Sequence, residues 1–563
     1  MSFSSPSTSS GSPSEKIWWG GLLGATALNC LFQIIWFWRF RSHNINSDGI
    51  AYIGLARHLL DGNLKASLHG YWSPLITWII AVASLFSSNF TLVGRLVTIA
   101  TFLACLPLLY RLTLRLWRSR VAAALAVFWF STGRGVIEAA VGSILADFLF
   151  TACVLLYFLL LLQALRDNRP ARWLWLGAAH GLAFLAKAIA MPWLAISTVL
   201  AVLAQNVRSP RRMGASVLLA FLIPAAVWAG WGFTLRTKYS QFTAGYQLRA
   251  NLMINWTRRL SHHTRGDNLA FVDTSSLYDN YMVGEASWST LQSFSLRRPG
   301  ILAMLRDSEI QNLPSAAKEI LILLTPGGAL ALAAMLLLLA RGWRQHRPQA
   351  AFAGIADFSA VALIAAYCML VFDSRYILPI TVVLIALSSP ALLPSNLAPQ
   401  APHAAGWVQK TALGLALAST VFFALYWASP FRTVDRDFEA SCYQAASALR
   451  SGRPDGTLVS IGNGPYPEHG VGFEAGPYTA YLSGWRLVGG NSELPDRPGA
   501  DDLAGRAIGA NSDAVAVWGS PSNPAYGPIV EALRHNPGYR AATRITDPYK
   551  GEVGTLIFLA RKT

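Results

Sequence analysis

A chain of 563 residues that is 53% hydrophobic, only 13% charged and of mean hydropathy +0.37 resembles neither an average soluble protein nor a disordered one. Its formal charge of +17 comes from Lys and Arg placed mostly in short clusters between apolar runs, which is the positive-inside pattern of a membrane protein. No continuous basic face with interleaved aromatics appears, which argues against a nucleic-acid partner. Four of the five cysteines (Cys30, Cys105, Cys153, Cys368) lie inside apolar runs and Cys442 stands alone, so neither a disulfide framework nor a metal-ligand spacing is present.

In chain order, residues 1–16 are Ser-, Pro- and Gly-rich and read as a disordered N-terminus, while Ile17 to Phe40 is too long and too Trp-rich for a cleaved signal and is the expected first membrane helix. A polar first external loop, 41–72, follows. Within it the apolar positions from Ile50 to Leu60 have helical spacing, which predicts a short amphipathic helix at the membrane surface with Asp48 at its N-terminus. The apolar run from Ser73 to Ser87 is short of a full span and is expected to be a re-entrant or half-membrane element. A full run, Leu92 to Leu109, ends at the basic stretch Arg111, Arg115, Arg118 and Arg120, read as cytoplasmic.

Further apolar runs cover 121–137, 146–165, 173–205 (two spans broken near Lys187 and Pro192) and 214–233. A long polar external loop, 236–315, separates them from runs at 318–340, 351–372, 376–395 and 407–428. Counting crossings from the basic connectors puts Asp48, Asp147, Lys187, the long loop, Arg375 and everything after Ser429 on the outside. The last stretch, 431–563, is rich in Gly, Pro and Asp and reads as a soluble α/β domain. Its strand candidates are Leu458 to Ile461, Ala514 to Trp518 and Thr555 to Ala560, with helices near Phe438 to Leu449 and Ile529 to His535. The fold class is therefore an all-α polytopic membrane protein of about 11–13 transmembrane helices over 17–430, with a small C-terminal α/β domain.

Several polar residues could carry chemistry. Asp48 is either the cap of its helix or an acid facing the outer surface. Asp147 opens an apolar run near Glu138 and Arg134, and carboxylates at membrane depth are costly and usually functional; a cap or a structural partner for Arg134 is the alternative. Lys187 either neutralises one of these acids, holds a phosphate or snorkels to the interface. The long loop holds Arg249, Arg258, Arg259, His262, His263 and Arg265 among Tyr246, Trp256 and Tyr278, a mixture suited to a phosphate or lipid head group and equally to a solvated basic loop. Asp373 and Arg375 stand at the outer mouth between two membrane runs, where an interfacial anchor is the simpler explanation. Gly462-Asn463-Gly464 lacks the third Gly and helix start of a dinucleotide fingerprint.

Taken together, the loop from Asp48 to Asn63, Trp72-Ser-Pro-Leu75, Gly94-Arg-Leu96, Ala146-Asp147-Phe-Leu-Phe150, Gly181 to Lys187 and Arg375-Tyr-Ile-Leu-Pro379 resemble glycosyltransferase family 39. This group includes bacterial protein O-mannosyltransferases and lipid A aminoarabinose transferases and has the GT-C fold. The resemblance implies an enzyme of the bacterial cytoplasmic membrane that moves a sugar from a polyprenyl-phosphate donor to a hydroxyl of a lipid, glycan or protein acceptor on the outer face. It also implies Asp48 as catalytic base and Asp147 as an assisting acid. Where the aminoarabinose transferases carry a basic residue before a Pro pair, this chain has Tyr71-Trp72-Ser73-Pro74. The donor phosphate is then left to Lys187, Arg258, Arg259 or Arg375, and the substrate or acceptor to Tyr52, His69, Tyr71, Trp72, Glu138 and Tyr376. No cofactor or metal site is expected, and a divalent-cation requirement is not legible in the residues. A secondary transporter, a polysaccharide polymerase or a non-catalytic relative are the alternatives; a transporter is expected to show related halves with midplane breaks, and neither is found.

Overall fold

The computed structural model describes residues 13–40, 46–133, 143–207, 209–249, 251–252, 270–271, 347–369, 374–392, 433–452, 455–461, 475–491, 500–509, 511–518, 526–546 and 553–560, with isolated positions between them. Helices dominate: α1 (Pro13–Phe40), α2 (Ser47–Leu60), α3 (Leu64–Ser67), α4 (Pro74–Ser84), α5 (Phe90–Trp117), α6 (Arg120–Ser131), α7 (Asp147–Asp167), α8 (Pro170–Ala186), α9 (Ala190–Asn206), α10 (Pro210–Tyr239), α11 (Arg347–Met369) and α12 (Leu378–Ser388). Among the described residues, stretches of α1, α5, α7, α10 and α11 are long and apolar enough to cross a membrane, and α4, α6, α9 and the Arg375–Ser388 segment are shorter apolar helices. The chain is a multi-pass membrane protein. The runs at 318–340 and 407–428 lie outside the described residues.

Local chemistry sets the helix ends. Pro74, Pro170 and Pro210 open α4, α8 and α10, where a missing N–H costs nothing. Asn89 and Ser119 cap α5 and α6, accepting from the backbone N of Leu92 (3.0 Å) and Ala122 (3.2 Å). Helix α4 has 11 residues, about 16 Å of rise and roughly half a bilayer core, the length expected of a half-membrane element. Helix α5 does not stop at Leu109 as the apolar run did. It carries Arg111 and Arg115 inside the helix and ends at Arg118, which adopts the left-handed conformation, because arginine is a good helix former and a change of polarity does not break backbone hydrogen bonds.

The body packs around α7, which contacts α5, α8, α11 and α12 and buries Phe148, Leu155, Phe158, Leu161 and Leu162. Buried polar groups lace the neighbouring helices. The Tyr157 hydroxyl meets Thr198 Oγ1 (2.9 Å), Trp193 Nε1 donates to the Ser359 carbonyl (2.8 Å), and Ser197 and Ser359 hydroxyls meet at 2.6 Å. Helices α8 and α10 approach at Gly177, where an added Cβ stands 2.5 Å from the Ala220 carbonyl oxygen.

The C-terminal part contains α13 (Thr433–Gly452), β2 (Thr457–Ile461), α14 (Ala475–Ser483), β3 (Arg486–Asn491), α15 (Ala500–Gly509), β4 (Ala514–Trp518), α16 (Tyr526–His535), β5 (Tyr539–Thr546) and β6 (Val553–Ala560). The sheet order is β1-β3-β2-β4-β6-β5, with β3-β2-β4 parallel and the remaining pairs antiparallel. Its first strand, β1 (Ala270–Phe271), comes from the long polar segment and pairs with Gly489 and Gly490. Alternation along β2 and β4 divides two cores. Val459, Ile461, Val515 and Val517 pack with α15 and α16, whereas Leu458, Ala514, Ala516 and Trp518 join the core that continues into the membrane body.

One expectation is corrected. Helix α2 does not lie with one face open at a surface: Gly49 to Ala56 are all buried, because α4, α5 and α14 pack around it.

Candidate active site

Two helix starts deliver two acids to one place. Asp48 lies in the first turn of α2 and Asp147 is the first residue of α7. Asn46, not Asp48, holds the cap position of α2, and its side chain is spent on the other start: Oδ1 accepts from Ile144 N (2.9 Å) and Nδ2 donates to Ile144 O (3.4 Å). Gly94 of α5 makes room for this contact, since an added Cβ there falls 2.9 Å from Ile144 Cδ1. The capping explanation of Asp48 is thereby replaced, and its carboxylate is turned to Arg375, Oδ2 to Nη1 3.0 Å.

Asp147 is nearly sealed from solvent and takes a 2.6 Å hydrogen-bonded ion pair from Lys187 Nζ. Lys187 is extended at the break between α8 and α9, which frees its side chain from the helical surface. Its ammonium lies 4.5 Å from the Tyr376 ring centroid, and the Arg375 guanidinium lies 5.3 Å from the same ring. Tyr376 in turn stacks on Tyr367 at 4.7 Å and 21°. Two acid–cation pairs thus flank one aromatic plate, in the order Asp48, Arg375, Tyr376, Lys187, Asp147. Tyr52, one turn beyond Asp48, is buried beside them. Burial first, then the charges of Asp48 and Asp147, push its phenol well above the ordinary tyrosine value, so it remains a proton donor.

An aromatic wall continues from Tyr52. Trp72 meets Tyr52 edge-on (5.4 Å, 71°) and Tyr71 likewise (4.8 Å, 77°), while His69 lies 5.8 Å from Tyr246. The segment is pinned by Tyr246 N to Gly70 O (3.0 Å), Lys238 Nζ to Leu68 O (3.0 Å) and the Tyr71 hydroxyl to Asn251 Oδ1 (3.2 Å). Gly70 is required there, because a Cβ stands 2.5 Å from the Tyr246 ring. Carboxylates that can take a proton, cations that can hold an anion and rings that can cover a sugar face are brought together.

Among solved structures, the chain resembles that of ArnT from Cupriavidus metallidurans bound to undecaprenyl phosphate, with 15% identity and a TM-score of 0.53 over 97% of this chain and 99% of that one. The Archaeoglobus fulgidus oligosaccharyltransferase in complex with zinc and sulfate is similar at 14% identity and TM-score 0.55, over 95% of this chain and 72% of that one. This is a GT-C fold. Residues 71–231, from just before α4 into α10, also match the family described as dolichyl-phosphate-mannose-protein mannosyltransferase. No curated protein matches the chain in sequence. Within the GT-C frame, Asp147 and Lys187 fall inside the family match, while Asp48, Tyr52 and Arg375 lie outside it.

Of the residues singled out from sequence, the structure gathers Asp48, Asp147, Lys187, Arg375, Tyr376 and Tyr52 and sets His69, Tyr71 and Trp72 along the adjoining wall. Glu138, Arg258, Arg259 and the pair His262-His263 lie outside the described residues. Among the described residues no group of three His, Cys, Asp or Glu stands close enough to hold a metal ion. Sequence reasoning missed Asn46, Tyr367 and Ser73, whose side chain hydrogen-bonds Tyr52, at the site. Arg95, quoted within the Gly94-Arg-Leu96 motif but given no role, is buried in α5.

Proposed function

We propose that this GT-C protein transfers a sugar from a polyprenyl-phosphate donor to an acceptor hydroxyl at the outer face of the cytoplasmic membrane, by a single inverting displacement with Asp48 as base. The observation that carries it is the pairing of both acids with both cations around Tyr376. The two cations already face carboxylates, and undecaprenyl phosphate, a polyprenyl phosphate without a sugar, is the anion bound in the resembling ArnT structure. A phosphate that takes over the contact of Arg375 frees Asp48 to accept a proton.

In this reading the acceptor oxygen attacks the anomeric carbon while its proton passes to Asp48. The bond from that carbon to the phosphate oxygen breaks, and its electron pair leaves with the polyprenyl phosphate. Arg375 and Lys187 stabilise the growing negative charge, with Arg258 and Arg259 of the long loop as further candidates. Asp147 holds Lys187 in place, and Tyr52, His69, Tyr71, Trp72 and Tyr376, with Glu138, form the substrate and acceptor surface. Unlike glycosidases with paired carboxylates, no acid is needed to expel a phosphate. The C-terminal domain stands on the same side as the acids. Lipid, glycan and protein hydroxyls all fit this chemistry, as do hexose and pentose donors.

The test is purified protein with a radiolabelled polyprenyl-phosphate sugar and bacterial membranes as acceptor source. Label leaving the polyprenyl carrier for an acceptor with wild type, and remaining on it with Asp48→Asn, is expected. Full transfer by Asp48→Asn contradicts the mechanism.

A further inference from the structure

The back of α2 carries a second feature that the proposed chemistry does not use. Residues nine apart on an α-helix point to opposite sides, and residues four apart share a side. Asp48 and Tyr52 therefore form the front of α2, toward the site, and Arg57 is on its back, about 14 Å along the axis. There the Arg57 guanidinium lies between two rings, 4.7 Å from the centroid of Phe90 in α5 and 5.4 Å from that of Tyr481 in α14. The Tyr481 hydroxyl meets Thr91 Oγ1 at 2.7 Å, tying the same tyrosine to the first turn of α5.

Helix α14 belongs to the C-terminal sheet domain and packs directly on α2. It is anchored from behind: Tyr478 is buried against Tyr443 of α13 (6.2 Å between rings), and Gly476 lies so close to Ser460 of β2 that an added Cβ falls 2.5 Å from its side chain. The same sheet takes β1 from the long external segment at its edge. The domain thus joins the helix that bears Asp48 to a second external segment of the membrane body.

We infer that the C-terminal domain is a positioning element of the active site, with Tyr481 clamping Arg57 on the back of α2 so that Asp48 on its front is held at the reacting centre. The inference rests on the role proposed for Asp48. Tyr481 and Arg57 touch no reacting atom; they act through the placement of α2. A misplacement of about 1 Å at a reacting group costs on the order of 100-fold in rate, and a clamp that holds the far end of one short helix is a lever on that distance.

The experiment compares full-length wild type with Tyr481→Ala, Tyr481→Phe, Arg57→Leu and the Tyr481→Ala/Arg57→Leu double variant. Turnover, donor KM and amide hydrogen exchange over 47–60 are measured for each. Tyr481→Ala is expected to lower kcat by about tenfold or more, to leave donor KM within about twofold, and to speed exchange in α2. Tyr481→Phe, which keeps the ring over Arg57, is expected to recover most of the turnover. The double variant is expected to be no slower than the worse single one, as for two residues in one contact. Wild-type turnover and exchange in Tyr481→Ala overturn the inference, as does a loss confined to donor KM. If Asp48→Asn is inactive while Tyr481→Ala is fully active, only the clamp fails; absence of transfer by the wild type overturns the clamp together with the proposed function.

Discussion

Removing either member of the Asp147–Lys187 pair tests stability and chemistry separately. The two side chains retain only 4% and 8% of their accessible surface and meet at 2.6 Å, so truncating one strands a buried charge, which costs about 3–5 kcal/mol. Unfolding entropy of roughly 2 cal/mol/K per residue, taken over a chain of 563 residues, makes that cost a fall of about 3–4 °C in thermal midpoint. Lys187→Met and Asp147→Asn are each expected to show it, read as loss of the monodisperse peak after heating in detergent. The double variant Asp147→Asn/Lys187→Met removes both charges and is expected to regain most of the lost stability, since replacing a buried pair by neutral groups is often harmless. It should not regain activity, because one of the two cations beside Tyr376 is gone. A Lys187→Met protein as stable as wild type, or a double variant less stable than both singles, refutes the reasoning.

The Asp48–Arg375 pair is more open, at 22% and 25%, so Arg375→Met is expected to change stability by about 1 kcal/mol or less while raising donor KM; an unchanged KM argues against a phosphate contact. Tyr52→Phe should lower turnover without moving the pH profile below pH 10, because burial and the flanking acids hold the phenol protonated there; a lost alkaline limb in that variant contradicts this. Gly177→Ala drives a Cβ into the Ala220 carbonyl oxygen, a backbone atom that no rotamer change can clear. It is expected to destabilise by about 1–3 kcal/mol, whereas Gly214→Ala, with open space around it, should leave the thermal midpoint unchanged.

Much of the helical body was legible because its signals are local. Pro74, Pro170 and Pro210 mark starts, and the extended Lys187 marks the break between two spans. The fully buried strand Ala514–Trp518 reads directly from its apolar run, but Tyr539–Thr546 does not, since it interleaves Arg540 and Arg544 and is largely exposed. The two-residue β1 is a strand only through its partner β3, a long-range pairing with no local signature. The site follows the same division. Topology put Asp48, Asp147, Lys187 and Arg375 at one end of the protein, and each was individually visible as a charge beside an apolar run. Which acid meets which cation was not visible, because both pairings join segments distant in sequence across α2, α7, α8 and the turn before α12. The choice between cap and free acid for Asp48 stayed open in the sequence because Asn46, two residues earlier, has the same propensity, and the backbone puts Asn46 at the cap position.

The most direct measurement is donor binding and transfer by Asp48→Asn, an isosteric change that removes the carboxylate charge facing Arg375. With the carboxylate acting as base, the variant binds a radiolabelled polyprenyl-phosphate sugar at least as tightly as wild type, and its transfer rate falls by about 100- to 10,000-fold. A variant that binds the donor and transfers its sugar at the wild-type rate contradicts the account.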